Sequence, residues 1–278
     1  MSTPELRVAI LGVSGRMGGA LLKALDETSG AKLQGATTSP GSQWIGKDAS
    51  TPHSGAFRDV SISAAAAEAV RGANVAIDFT LANATATNLD AAVAARCAVV
   101  LGTTGHDEAQ RQHILNASRQ IPIVWAANTS LGVNLLLKLV ELAAATLGDD
   151  YDIEIFEAHH RNKKDAPSGT ALAFGRAAAQ GRNVTLNDVA EFDRHGHSQA
   201  RRKGDIGFAV FRGGDVVGDH TVTFAGIGER IELTHKATDR MAFARGAMQA
   251  ARWLAGKPAG LYSMSDVLGL SAHLNSVK

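Results

Sequence analysis

The stretch LRVAILGVSGRMGGALLKAL, residues 6–25, joins a short apolar run to an amphipathic run through a glycine-rich turn. Residues 6–11 predict a buried strand, and residues 16–25 place their apolar side chains on one face of a helix. Gly12, Gly15 and Gly18 lie between them with the spacing GxxGxxG, a variant of the GxGxxG fingerprint. There, glycine permits a tight turn, the backbone approaches a pyrophosphate, and the helix N-terminus offers N–H groups and a positive dipole end. The stretch predicts a dinucleotide-binding α/β fold; the alternative is a glycine-rich turn that binds nothing.

The remainder of the first half repeats this alternation of strand and helix. Further buried strands are predicted at residues 33–39, 75–79, 98–101 and 121–126, with helices at residues 63–70, 84–96 and 107–119. Near-continuous apolar strands that alternate with helices indicate a parallel sheet covered on both faces. We therefore predict a Rossmann-like, doubly wound parallel sheet over residues 1–129.

The pattern changes after residue 130. A long helix at residues 134–147 precedes an alternating strand at 151–157, and several short strands with Gly-rich turns follow between residues 205 and 236. These features predict a second α+β domain with an open mixed or mostly antiparallel sheet over residues 130–240. The amphipathic helix at residues 240–254 is expected to pack back onto the first domain, so residues 241–278 are assigned to that domain.

Length, composition and charge narrow the class of protein. The 278 residues suggest roughly two domains, and a net charge of +1 gives no sign of a nucleic-acid partner. Cys97 is the one cysteine and has no internal partner, which fits a reducing compartment. The first eleven residues lack the features of a signal peptide, and we expect the apolar stretches to be broken before the roughly 18 residues that a bilayer span needs. A cytoplasmic protein without a membrane partner is expected.

Three segments at predicted strand ends are candidates for cofactor contact. Ligands of doubly wound sheets bind beyond the carboxyl ends of the strands. For the second and third segments, an ordinary turn that binds no ligand is the alternative. The candidate residues are Gly12, Val13, Ser14, Gly15, Arg16 and Met17; Gly102, Thr103 and Thr104; and Ala126, Ala127, Asn128 and Thr129.

The end of the second predicted strand bears on the choice of cofactor. An NAD-type site usually carries an acid about 20 residues beyond the glycine loop, but Thr37, Thr38 and Ser39 occupy this position. Hydroxyl groups could accept a 2′-phosphate by hydrogen bonding, and no carboxylate would repel it. The sequence therefore predicts tolerance of NADPH and leaves the preference between NADH and NADPH open.

The segment EAHHRNKKDAPSGT, residues 157–170, places two histidines and three basic residues directly after a strand and before a helix. Pro167 suits a helix start, and Ser168 or Thr170 can cap it. Cations facing a helix N-terminus form an anion pocket, which could hold a small dicarboxylate. His and Lys there also offer proton donors. The alternative is a solvated basic loop.

A second histidine pair is less informative. His195 and His197 form an H-x-H pair in a polar loop, but no cysteine or acidic cluster completes a ligand set, so we predict no metal site.

Several motifs together resemble the dihydrodipicolinate reductase (4-hydroxy-tetrahydrodipicolinate reductase) family. The resemblance spans essentially the whole chain, and EAHHRNKKDAPSGTA is its most specific motif. The motifs are GVSGRMG at residues 12–18, DFT at 78–80, LGTTG at 101–105, AAN at 126–128, EAHHRNKKDAPSGTA at 157–171, GERIELTHKATDRMAFARGA at 228–247 and GLY at 260–262.

The resemblance implies reduction of a cyclic dicarboxylate to tetrahydrodipicolinate with NAD(P)H, in lysine and diaminopimelate biosynthesis. It implies that His159 is the proton donor or acceptor and that Lys163 is a proton donor. His160, Gly169 and Thr170 are implied as substrate contacts, and Ser168 is predicted beside them from its place at the helix start. It further implies a homotetramer formed through the second-domain sheet.

The chain departs from the family pattern near the cofactor. Many members have an acid where Thr38 stands, some follow it with Arg where this chain has Ser39, and many have an aromatic residue in place of Thr129. These departures concern cofactor preference rather than the reaction.

Two other functions are compatible with a dinucleotide fold. One is a related two-domain NAD(P)-dependent oxidoreductase that acts on another small acid, which the HHRNKK and PSGT segments disfavour. The other is a dinucleotide-sensing protein without turnover, which the presence of both His159 and Lys163 disfavours.

Overall fold

The computed structural model describes residues 5–196 and 199–270. The chain divides into two compact units: unit 1 comprises Met1–Leu131 and Arg240–Lys278, and unit 2 comprises Gly132–Asp239. The second unit is therefore an insertion within the chain of the first.

Unit 1 begins with six strands and four helices. In chain order they are β1 (Leu6–Leu11), α1 (Arg16–Asp26), β2 (Ala31–Thr37), β3 (Ile62–Ser63), α2 (Ala66–Ala69), β4 (Val75–Asp78), α3 (Thr85–Ala95), β5 (Ala98–Leu101), α4 (Glu108–Ser118) and β6 (Pro122–Trp125).

Unit 2 follows with three helices and five strands, after which the chain returns to unit 1. The elements of unit 2 are α5 (Leu131–Leu147), β7 (Asp152–His159), α6 (Gly169–Gly181), α7 (Leu186–Val189), β8 (Ala190–Glu191), β9 (Ile206–Arg212), β10 (Gly218–Ala225) and β11 (Arg230–Ala237). The returning elements are α8 (Met241–Leu254), β12 (Gly260–Tyr262) and α9 (Met264–Val267).

Unit 1 contains a seven-stranded sheet in the order β12-β6-β5-β4-β1-β2-β3. Every described pair in this sheet is parallel. The chain winds outward from β1 in one direction through β2 and β3, and in the other through β4, β5, β6 and β12. The predicted doubly wound sheet is thus confirmed, and its topological switch point lies between β1 and β4, where such folds bind ligands.

Alternation along β1 explains why this sheet is buried on both faces. Val8 and Ile10 pack with Leu21 of α1 and Leu254 of α8, whereas alternate residues of the strand pack on the opposite face among α3 and α4. Because successive side chains of a strand point to opposite faces, the apolar run of residues 8–11 supplies two cores at once.

The cysteine lies in the second of these cores. Cys97 is wholly buried, and burial raises the pKa of its thiol to about 12. It is therefore a packing residue without thiolate chemistry, as an apolar environment dictates.

Unit 2 contains a five-stranded sheet in the order β11-β10-β7-β9-β8. The pairs of β10 with β7 and β11 are antiparallel, whereas β9 is parallel to both β7 and β8. The sheet is mixed rather than mostly antiparallel, because β7 and β9 are joined by a long connection that carries α6 and α7. Phe174 of α6 and Phe224 of β10 are among the largest wholly buried side chains of this unit.

Among the element boundaries that differ from those predicted, two change the assignment of a strand. The helix expected at residues 63–70 is reduced to α2, because residues 62–63 extend the first sheet as β3. The strand expected to end at residue 157 continues to His159, because β9 pairs with it up to the partners His159 and Arg212. The strand itself therefore holds the histidine.

The expectation that no apolar stretch is long enough to cross a membrane is wrong. Residues Leu131–Asp150 are helical throughout, and by length and composition alone they could span a bilayer. In unit 2, however, Val140 and Ala144 of this helix belong to the core, and Lys138 forms an ion pair with Glu141 at 2.6 Å in its middle. Of the most apolar 18-residue window of this helix, 17% is buried by the described residues.

Close packing joins α8 to the end of the first sheet. A Cβ atom on Gly246 would lie 1.8 Å from the carbonyl oxygen of Thr129, so no larger residue fits without movement of the backbone. The hydroxyl of Thr129 donates to the carbonyl of Phe243 at 2.7 Å. The contact between α8 and residue 129 is therefore specific.

We predict that Gly246→Ala lowers the free energy of unfolding by about 1–3 kcal/mol, because the added methyl group overpacks this contact. Urea unfolding followed by circular dichroism would measure the change. Gly55→Ala is the matched control, because its added Cβ would meet the nearest atom at an ordinary 3.6 Å. Equal stability of the two variants would contradict the assigned packing.

Candidate active site

The glycine-rich turn after β1 is fastened to the end of β2. Gly12 has φ of +80°, which favours glycine, and its N–H donates to Thr37 Oγ1 at 3.1 Å. The Val13 N–H donates to the Thr37 carbonyl at 2.8 Å. A Cβ on Gly18 would lie 2.0 Å from the Val13 carbonyl oxygen, so this glycine permits α1 to pack against the turn. Gly12 and Gly18 therefore serve turn geometry and helix packing.

The side chains of Thr38 and His53 also hold this turn, a role that the sequence does not predict for either residue. Ser14 Oγ and Thr38 Oγ1 share a hydrogen bond of 2.6 Å, and His53 Nε2 donates to the Val13 carbonyl at 2.8 Å. His53 lies in a short 3-10 helix distant in sequence. Its role depends on tertiary contact, and no local pattern signals it.

A buried carboxylate at the end of β4 organises the neighbouring loops. Asp78 Oδ1 accepts hydrogen bonds from the Thr80 N–H at 2.8 Å, from Thr80 Oγ1 at 2.6 Å and from Thr103 Oγ1 at 3.1 Å. Its Oδ2 accepts from Asn88 at 2.9 Å. The segment after β4 and the segment after β5 are thereby held together at the carboxyl edge of the sheet.

A cavity of about 790 Å³ opens at this edge beside the glycine turn. Among the described residues that line it, none carries a charged side chain. The lining residues are Gly12, Ser14, Gly15, Thr37, Thr38, Ser39, Pro40, Ala64, Ala65, Ala66, Ala67, Phe79, Thr80, Leu81, Asn83, Ala84, Thr87, Asn88 and Ala91. Its volume lies within the range of small-molecule and cofactor sites.

The structure places the predicted cofactor residues in different environments. Gly12, Ser14 and Gly15 line the cavity, and Arg16 is exposed at the first turn of α1. The other predicted residues lie outside the cavity lining. Val13, Gly102, Thr103, Ala126 and Thr129 are buried, Met17 and Asn128 are partly buried, and Thr104 and Ala127 are exposed.

In unit 2, His159 lies beside a carboxylate that has no contact with solvent. Glu157 is 0% exposed, and its Oε2 lies 2.5 Å from Nδ1 of His159, which is 8% exposed. Arg212 donates to both carboxylate oxygens at 2.7 and 2.8 Å, and the Ser168 N–H donates to Oε1 at 2.9 Å. Neither Glu157 nor Arg212 is among the site residues that the sequence predicts.

These contacts set the charge of both groups. Burial raises the pKa of Glu157, but the hydrogen bonds from Arg212, His159 and Ser168 together lower it below its usual value. Burial lowers the pKa of His159, and the positive charges of Lys163 and Arg212 act in the same direction, against the opposing effect of Glu157. At neutral pH the carboxylate is ionised and the neutral imidazole is favoured.

The basic loop begins directly after His159. The Nζ of Lys163 lies 2.8 Å from Asp165 Oδ2, and the Lys163 side chain is partly buried. The N–H of the half-buried His160 donates to the Val216 carbonyl at 2.8 Å. The positive charge of Lys163 also acts electrostatically on His159.

Ser168, rather than Thr170, caps α6. Its Oγ accepts from the Ala171 N–H at 3.1 Å and lies 3.0 Å from His220 Nε2. Ser168 is buried with its N–H on Glu157, so its polar atoms already have protein partners. Gly169 is exposed at the first turn of the helix, with nothing within 4 Å of an added Cβ, and Thr170 is partly buried.

A second buried histidine, which the sequence analysis did not identify, lies behind this cluster. The ring of His220 packs edge-on against His159 with centroids 5.1 Å apart. Burial, together with the charge of His159, lowers the pKa of His220 to about 4. The buried alternate positions of β10 include His220, and this alternation is the only signal for it in the sequence.

Of the H-x-H pair, His195 alone lies within the described residues. His195 is exposed and its Nδ1 lies 2.8 Å from Asp193, whereas His197 lies outside the described residues.

Comparison with solved structures shows which known proteins share this fold. The fold matches a dipicolinate-bound dihydrodipicolinate reductase from Paenisporosarcina sp. TG-14, with a TM-score of 0.74 and 22% identity over 93% of this chain and 97% of that one. It also matches an amine dehydrogenase from Mycobacterium smegmatis, with a TM-score of 0.60 and 12% identity over 93% and 95% of the two chains. At these identities the likeness shows that the chain shares its fold with a reductase and a dehydrogenase.

Sequence comparison identifies the family of the chain. The family model described as "Dihydrodipicolinate reductase, N-terminus" matches residues 6–129, and the model described as "Dihydrodipicolinate reductase, C-terminus" matches residues 132–268. The chain belongs to the dihydrodipicolinate reductase family. A relative from Thiobacillus denitrificans, named 4-hydroxy-tetrahydrodipicolinate reductase, is 52% identical over 266 residues, which cover 96% of this chain and 99% of the relative.

The low pKa of His220 predicts how the stability of the chain depends on pH. Because the folded pKa of about 4 lies below the unfolded value of about 6.5, its contribution is complete above pH 6.5 and is lost as the pH falls towards 4. For this buried group the contribution is about 3 kcal/mol. Urea unfolding at several pH values would show that His220→Gln loses less stability over this range than the native chain.

The exposed His113, which pairs with Asp90, provides the control. His113→Gln should keep the native pH dependence. If His220→Gln also keeps that dependence, a neutral buried His220 is excluded as its cause.

Proposed function

We propose that this chain catalyses the NAD(P)H-dependent reduction of 4-hydroxy-tetrahydrodipicolinate to tetrahydrodipicolinate, in diaminopimelate and lysine biosynthesis. The observation that carries the proposal is the buried His159, held by Glu157 beside Lys163 and next to the start of α6. The names of the relatives and of both matching family models support the same reaction.

In this proposal residues 1–129, with residues 241–278, bind the dinucleotide. The turn of Gly12, Val13, Ser14, Gly15, Arg16 and Met17 would hold the pyrophosphate, because the N-terminal N–H groups and dipole of α1 favour an anion. The uncharged cavity beside it has room for a nucleoside. Gly102, Thr103, Thr104, Ala126, Ala127, Asn128 and Thr129 would contact the nicotinamide half. For Thr129 we propose a backbone contact, since its hydroxyl is bonded to Phe243.

Residues 130–240 bind the substrate in this proposal. The backbone N–H groups of Gly169 and Thr170 lie in the first turn of a thirteen-residue helix, a setting that favours a carboxylate. The side chains of His160 and Lys163 add positive charge on the same loop. Ser168 would act through its cap, which fixes the first turn of α6, rather than through a free hydroxyl.

The proton chemistry is assigned to His159 and Lys163. The bound cofactor supplies a hydride to an electron-poor carbon of the substrate ring. The overall change adds one hydride and one proton and releases one water from the 4-hydroxy substrate. His159 is proposed to donate or accept a proton at its Nε2, because its Nδ1 faces Glu157. Lys163 is proposed as a proton donor that also stabilises developing negative charge.

We further propose a cytoplasmic homotetramer formed through the sheet of unit 2. Phe156 and Phe211 are 45% and 47% exposed on this sheet, and large apolar side chains in such positions favour association. The ion pair of Lys138 with Glu141 in the middle of α5 supports a protein that does not span a membrane.

We predict that His159→Gln and Lys163→Ala each lower kcat about 100-fold or more, because general acid–base groups contribute rate enhancements of this order. The dissociation constant for NADPH should change less than about threefold. Oxidation of NADPH, followed spectrophotometrically with the product of dihydrodipicolinate synthase as substrate, measures kcat. Wild-type turnover in either variant would remove that residue from its role.

The same assay separates the alternatives. Binding of NADPH without turnover by the native chain would indicate a dinucleotide sensor, and turnover with only another small acid would indicate a related oxidoreductase.

We predict that the native chain accepts NADPH with a kcat/KM within about tenfold of that for NADH, because no carboxylate is among the described residues that line the cavity and could select the ribose diol. Thr38→Glu should reduce kcat/KM for NADPH relative to NADH about tenfold or more, because the new carboxylate repels the 2′-phosphate. Thr38→Val is the matched control, since it removes the hydrogen bond to Ser14 without adding charge. A strong preference of the native chain for NADH would contradict the prediction.

A further inference from the structure

We propose that Glu157 is a positioning residue, which keeps a proton on Nδ1 of His159 and restricts proton exchange to Nε2, and that Arg212 holds the carboxylate for this role. The inference rests on the proposed function, in which His159 transfers a proton. Glu157 and His159 then form a carboxylate–histidine pair within β7, and the guanidinium of Arg212 binds the carboxylate.

The pair follows from the geometry of β7. Residues two apart in a strand point to the same face, so Glu157 and His159 lie side by side. The separation of 2.5 Å between Oε2 and Nδ1 is a charge-assisted hydrogen bond. Because an ionised carboxylate only accepts hydrogen bonds, Nδ1 must carry the proton.

Arg212 and Ser168 keep Glu157 ionised and immobile. Arg212 meets both carboxylate oxygens from the neighbouring strand β9, and the Ser168 N–H meets Oε1 from the start of α6. Arg212 also donates to the carbonyls of Phe211 and Asp165, which fixes the guanidinium. Four donors on two oxygens, counting His159, leave the carboxylate one orientation.

The Nε2 atom of His159 lies close to Gly218, a residue without a side chain. An added Cβ on Gly218 of β10 would lie 3.0 Å from Nε2, so glycine leaves space at this atom. The charged and titratable groups around the imidazole are Glu157 on its own strand, Lys163 in the loop, Arg212 on β9 and His220 on β10. Glu157 is the one anion in this set of described neighbours, and it faces Nδ1.

A single substitution distinguishes this role from a packing role. In Glu157→Gln the amide oxygen should take the position of Oε1, where it accepts from both Arg212 and Ser168. The amide NH₂ group then faces Nδ1 of His159, which must become an acceptor, and the proton moves to Nε2. The loss of the negative charge also lowers the pKa of His159.

Substitution of Arg212 has the opposite effect. In Arg212→Gln the carboxylate remains, and a positive charge near His159 is removed. The pKa of His159 should therefore rise while the proton stays on Nδ1. A role limited to packing would not give shifts of opposite sign in the two variants.

The test is ¹⁵N NMR of the ligand-free protein, which reports which ring nitrogen of His159 is protonated and how it titrates. The native chain should have the proton on Nδ1, and Glu157→Gln should have it on Nε2. Glu154→Gln, on the same strand and paired with Arg194, is the control and should match the native chain. A native His159 with its proton on Nε2 would overturn the inference even if Glu157→Gln failed to fold.

Kinetics give a second readout. In Glu157→Gln, kcat should fall at least about tenfold while KM changes less than about threefold, as expected when the general acid–base is held in the wrong tautomer. The pH profile of kcat should shift downward in this variant and upward in Arg212→Gln. Native kcat in Glu157→Gln would overturn the inference. A native chain without reductase activity would instead refute the proposed function, and the NMR result would still decide the position of the proton.

Discussion

The carboxylate of Glu157 is completely removed from water, and unit 2 must therefore surround it with donors. Removing one partner of such a buried ionic group typically costs about 3–5 kcal/mol, because the remaining charge is left without compensation. The donors come from β9, from the end of β7 itself and from the first residue before α6. Satisfying this one charge thus fixes the register of two parallel strands, the start of a helix and the orientation of an imidazole.

Unit 1 uses a related arrangement with neutral partners. Asp78 also lies at the end of a buried strand and also collects the segments that follow neighbouring elements, but its donors are hydroxyl and amide groups of Thr80, Asn88 and Thr103. The difference suits the ligands proposed for the two units. A neutral shell around Asp78 leaves the adjacent cavity without basic side chains, whereas the shell around Glu157 adds Arg212 and His159 to a basic loop.

The features that could be predicted from the sequence are those with a local cause. The apolar runs of β1, β4 and β5, the glycine turn and the helix start after Pro167 each follow from patterns within a few residues. His159 and Lys163 could be selected because they stand together in one basic segment. The role of Arg212 could not, because it depends on β9 pairing with β7 in a register that brings Arg212 beside His159.

His220 shows the same limit. Its contact with Ser168 joins residues 52 positions apart, so only the tertiary fold brings them together. The prediction that no apolar stretch could cross a membrane is wrong for a different reason. Gly132, Asn134 and Lys138 interrupt the apolar sequence of α5 without interrupting the helix. The mean hydropathy of the stretch is still 1.6, so the length of an unbroken apolar run underestimates how apolar a helix is.

The path of the chain has a consequence for synthesis on the ribosome. Because unit 2 interrupts unit 1, α8 and β12 are translated after the whole of unit 2, although Met248 and Leu254 of α8 belong to the same core as Val8 and Ile10 of β1. One face of the first sheet therefore has the cover of α1 but lacks that of α8 while more than a hundred residues of unit 2 are made. Unit 2 is contiguous and can complete its own core in this interval, whereas the unit that begins first is completed last.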